Sequence, residues 1–101
     1  MSLNNKIKML ARKFVGVTFD LNRIIDLFVH FGARNSNIIK DNPHLSKETK
    51  EQLIDKIVYQ DARIFIQWLE KDRSISLSSE DKDELEKCLA INYLNENFWK
   101  D

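Results

Sequence analysis

Two glycines, one proline and one cysteine are all that this 101-residue chain holds of those three residue types. Gly16, Gly32 and Pro43 are too few to turn the many corners of a β-sandwich or barrel, so helices joined by a few connections are expected. The lone Cys88 excludes an internal disulfide. It falls inside an apolar helical pattern and reads as a small buried side chain. Its neighbours Asp81, Asp83, Glu84 and Glu86 are the opposite of the electropositive setting that a reactive thiol needs. No apolar run approaches the length of a membrane span. The stretch from Phe14 to Phe19 is too short for the core of a secretory signal and is followed at once by Asp20. A cytoplasmic protein with no membrane partner is expected. Phosphate-cradling loops need glycines that the chain lacks, and His30 and His44 belong to no HExxH or CxxC arrangement. No metal or other cofactor is expected.

What is present is ordinary for a folded domain: 43% hydrophobic and 32% charged residues, enough apolar surface for a core at this length. The chain is read as one helical domain over residues 1–101. Its net charge is zero but unevenly spread. Residues 1–40 carry seven basic and two acidic side chains, residues 41–71 five and six, and residues 72–101 four and eight. A partner could be steered by such an asymmetry.

Apolar spacing defines the helices. Ile7, Leu10, Ala11 and Phe14 recur on one helical face. Gly16, Val17 and Thr18 weaken the pattern, and Asp20 can cap a new start, after which Leu21, Ile24, Ile25, Phe28 and Phe31 resume the stripe. Gly32 stands where a left-handed C-cap belongs. Residues Arg34 to Leu45, rich in turn formers, read as the longest connection, pinned to the core by Ile38 and Ile39. Ser46 is a suitable N-cap for a helix whose inner stripe is Leu53, Ile54, Ile57 and Val58, continuing through Ala62, Phe65, Trp68 and Leu69, with or without a bend near Gln60. Ser78 followed by Asp81 forms a start resembling a capping box, and Leu85, Cys88, Leu89 and Tyr93 form the last inner face. The fold class expected is all-α, a compact bundle of four to five antiparallel helices.

Three surfaces are candidates for function. Arg23 and His30 are two helical turns apart and resemble the arginine-and-histidine signature of HEPN ribonucleases. Ile24 stands where that signature usually carries a polar residue, and a solvated face is the preferred reading. Lys6, Lys8, Arg12 and Lys13 could touch phosphates, but no aromatic residue interleaves with them as a single-strand binder would want. Asp72, Glu80, Asp81, Asp83 and Glu84 gather around one loop and the helix start after it. Acids near a helix N-terminus stabilise it by ~0.3–1 kcal/mol each, yet five exceed that need, because like charges repel. Such a surplus suits docking onto a basic protein surface such as a nuclease cleft.

The C-terminal half resembles the MafI-type immunity proteins of bacterial polymorphic toxin systems. The matching residues are Ala62, Trp68 and Leu69 of an amphipathic helix, and Ile75, Leu77 and Ser78 of an Ile-x-Leu/Ile-Ser loop. Glu84, Leu85 and Leu89 of an acid-rich last helix follow, with Phe98 and Trp99 at the close. The resemblance covers roughly residues 58–100. It implies a non-catalytic protein that neutralises a cognate toxin domain, often a nuclease, with the acidic cluster as the contact. The toxin domain is the expected partner, with no direct nucleic-acid contact, and a homodimer is left open. A HEPN-like ribonuclease, an antitoxin and a phage inhibitor of host defence are the alternatives.

Overall fold

Three polar side chains start three helices. Asp20 Oδ1 accepts the Arg23 N–H at 2.9 Å, Ser46 Oγ accepts the Thr49 N–H at 3.2 Å, and Ser78 Oγ accepts the Asp81 N–H at 3.2 Å. Each bond satisfies one of the donors that a helix start leaves unpaired. The computed structural model describes residues 2–11, 20–72 and 75–99. Arg12, Lys13, Phe14 and the break expected at Gly16 to Thr18 lie outside the described residues.

Five helices are present among the described residues: α1 (Leu3–Ala11), α2 (Leu21–Leu27), α3 (Arg34–Lys40), α4 (Lys47–Asp72) and α5 (Ser79–Asn97). No strand is found among those residues, and the all-α expectation holds. α4 runs unbroken for 26 residues past Gln60, about 39 Å at 1.5 Å per residue. It accounts for the long dimension of a 45 × 26 × 24 Å molecule. Arg63 pairs with Glu86, and Glu70, further along α4, pairs with Lys82, nearer the start of α5. The order reverses, so α4 and α5 are antiparallel.

The core is drawn from every helix except α3. Ile7 comes from α1, Ile24 from α2, Ile54 and Val58 from α4, and Leu85, Leu89 and Tyr93 from α5, all without measurable exposure or nearly so. Phe28 is its aromatic hub, with ring centroids 5.5 Å from Phe65 and 6.2 Å from Tyr93. Burying side chains of this size contributes roughly 1.5–3 kcal/mol each. Tyr93 also reaches α3, where its hydroxyl donates to Asn37 Oδ1 at 2.7 Å. Burial holds the Tyr93 phenol in its neutral form and pushes its pKa up.

Several local expectations change. α2 does not end in a left-handed glycine. It continues into one π-helical turn, Phe28–Gly32, closed by the Ala33 N–H donating to the Phe28 carbonyl at 3.1 Å. The wider turn rotates Phe31 off the inner stripe, leaving it 71% exposed. Gly32 is needed for space instead: a Cβ there would stand 2.8 Å from both Phe28 and Phe65.

The segment read as one long connection contains α3 and is a loop only over residues 41–46. Asp61 of α4 explains this. Its carboxylate accepts the Ser36 N–H and hydroxyl, both at 2.8 Å, and the Asn35 side-chain N–H at 2.9 Å. It caps α3 from a neighbouring helix. Ile39 packs on the core as expected, but Ile38 is exposed. Leu53 and Trp68 are also more exposed than an inner stripe allows.

Candidate protein-interaction surfaces

Four of the five clustered carboxylates face solvent. Asp72 ends α4, and Glu80, Asp83 and Glu84 occupy the first two turns of α5, all exposed. Asp81 is different, at 8% exposure. Lys6 of α1 crosses to it, with Nζ 2.9 Å from Oδ1 and 3.2 Å from Oδ2. The Lys6 ammonium first, and then hydrogen bonding from the Ser78 hydroxyl and backbone N–H, hold the Asp81 carboxyl below its ordinary range. Asp81, chiefly through that bond, holds the Lys6 amine above its own, and Glu84 and Glu80 add to the effect. The asymmetry read along the chain is therefore not one of opposite poles. The fold brings Lys6 onto the acidic end, and Asp81 is spent on joining α1 to α5.

A second surface lies between the π-turn and α4. Leu27, Phe31, Arg34, Ile64 and Trp68 line a groove of about 430 Å³ whose floor is Gly32 and Phe65. Phe31 is 71%, Ile64 52% and Trp68 44% exposed. Trp68 stacks on Phe65 with centroids 5.5 Å apart and planes 23° apart, so one ring face is held and the rest is open. Clustered exposed side chains of this size mark contact surfaces far more often than isolated ones do.

The sequence places Trp68 on the inner stripe of its helix, Phe31 on the stripe before it and Arg34 in a connection. Ile64 could have been found there. It falls outside the Ile54, Val58, Ala62, Phe65, Leu69 face, and an isoleucine on the outer face of a helix is the legible sign.

Arg23 and His30 are both exposed, and the recorded polar contact of His30 is Asp26, one turn back on the same helix, at 3.3 Å. Cys88 is half-buried rather than buried; burial first, and Glu84 second, push its thiol pKa up. Among the described residues no group of three or more His, Cys, Asp or Glu side chains is placed to hold a metal ion. No helix among them is long and apolar enough to cross a membrane.

Among the described residues, fold and surface together define a bundle of five helices with an acidic helix start and a separate aromatic groove. Comparison with family models, curated proteins and solved structures finds no match to this chain.

Proposed function

We propose that this chain is an immunity protein that binds a cognate bacterial polymorphic toxin domain, a nuclease, and neutralises it by covering its basic substrate cleft. The observation that carries the reading is the exposure of Glu80, Asp83 and Glu84 on the first two turns of α5. Their carboxylates stand in for the phosphates that a nuclease cleft is built to hold, and complementary charge speeds encounter with it. The C-terminal resemblance to MafI-type immunity proteins supports the same reading, since Glu84 belongs both to its acid-rich last helix and to the exposed acidic surface. Asp72, exposed at the end of α4, extends the acidic surface. Asp81 serves by position, fixing α5 against α1 through Lys6.

The mechanism is stoichiometric occlusion, with no bond made or broken. Co-expression with the C-terminal domain of a secreted protein encoded in the adjacent gene tests it. Growth rescued by the wild-type chain, and lost with Glu80, Asp83 and Glu84 all changed to lysine, is the expected result. Unprotected growth with the wild-type chain would overturn the assignment.

A further inference from the structure

The groove between the π-turn and α4 has a chemistry of its own. Its lining is apolar except for Arg34, and no carboxylate is part of it. Arg34 is exposed and has no carboxylate partner among the described residues. Phe31 is turned into the groove's rim by the wide turn, Ile64 projects from the outer face of α4, and Trp68 is braced by Phe65. Aromatic side chains and arginine are the residues that most often dominate protein-binding energy, when they surround a pocket that excludes water. An arginine on an apolar rim adds a directional demand, because its planar fork is matched by a carboxylate.

We propose that this groove docks a segment of a partner protein that carries large aromatic or aliphatic side chains beside a carboxylate. The apolar side chains sit between Phe31, Ile64 and Trp68, over the floor formed by Gly32 and Phe65, and the carboxylate pairs with Arg34. Charge complementarity selects this occupant over a second copy of the chain. A two-fold interface on this face would set each Arg34 against a surface whose lining supplies no acid. The groove uses no residue of α5, so the inference stands apart from the neutralisation proposed for the acidic helix.

Selection from a library of random linear peptides tests it. The wild-type chain is the bait, and the Ile64→Asp variant, kept helical because Ile64 is already exposed, is the competitor in excess. Enriched peptides are expected to combine aromatic or aliphatic residues with Asp or Glu. Their affinity should fall roughly tenfold or more for Arg34→Glu, and changing the peptide's acid to lysine should restore binding to that variant. Sedimentation equilibrium of the wild-type chain should give a monomer. Peptides enriched without an acid, peptides binding Arg34→Glu as well as wild type, or no enrichment at all would overturn the proposal. So would a dimer that Ile64→Asp dissociates, since the second copy would then be the occupant.

Discussion

The carboxylate of Asp61, in the middle of α4, accepts both the N–H and the hydroxyl of Ser36, each at 2.8 Å. Both residues are buried, at 2% and 0% exposure. α3 has no side-chain cap of its own at Ala33, so this contact supplies the acceptor that its first turn needs. The seven residues of α3 are too few to be stable as an isolated helix, and tertiary contacts must hold it.

Removing that acceptor should be costly. Asp61→Ala leaves a buried amide and a buried hydroxyl unsatisfied, and should destabilise the domain by about 3 kcal/mol. Ser36→Ala, which keeps the amide bond and loses only the hydroxyl, should cost about 1 kcal/mol. Urea unfolding measures both, and equal losses would show that Asp61 is not the cap of α3.

Gly32 should resist substitution for reasons of space. Gly32→Ala drives a methyl group to 2.8 Å from the Phe28 and Phe65 rings, an overpacking that costs about 1–3 kcal/mol. Gly32→Asn should be worse, because its side chain is larger. A left-handed cap would give the reverse order, since asparagine tolerates that conformation better than alanine does. Thermal melts of the two variants distinguish the two roles.

The Lys6–Asp81 pair should give stability a defined pH window. The folded carboxyl lies below its ordinary 3.8, so its contribution is present above that value and lost as pH falls through the lowered one. The folded amine lies above its ordinary 10.5, so its contribution is present below that value and lost as pH rises through the raised one. Lys6→Met should therefore melt below wild type through the neutral range, with the gap closing at both the acid and the alkaline end. A gap that does not change with pH would mean that Lys6 acts by packing alone. Tyr93 adds a separate alkaline loss in both proteins, because the unfolded phenol ionises above its ordinary 10.0 while the folded one stays neutral.

Local chemistry was legible in the sequence, and long-range chemistry was not. Asp20, Ser46 and Ser78 each cap the helix that follows within three residues, so their roles stand in plain sight. The acceptor for α3 comes from Asp61, 25 positions from Ser36, and turn formers without a local cap read as a loop. Phe31 fits the apolar repeat and leaves it only because an extra residue enters the turn closed by Ala33. The acidic cluster was correctly seen as dense, but its members are not equivalent. Lys6 is 75 positions from Asp81, and no count along the chain shows that it takes one carboxylate out of the exposed set.

The exposed carboxylates are best tested by association kinetics with a toxin domain that the co-expression experiment shows to be neutralised, at two ionic strengths. Changing Glu80, Asp83 and Glu84 to lysine leaves the Lys6–Asp81 join in place, so the circular-dichroism spectrum should stay helical. Screening shortens to about 8 Å at physiological salt, so wild-type association should be fast at low salt and slow markedly as salt rises. The triple variant should associate roughly tenfold more slowly or worse, with most of that salt dependence gone. A triple variant that associates at the wild-type rate, with the wild-type salt dependence, would contradict the account.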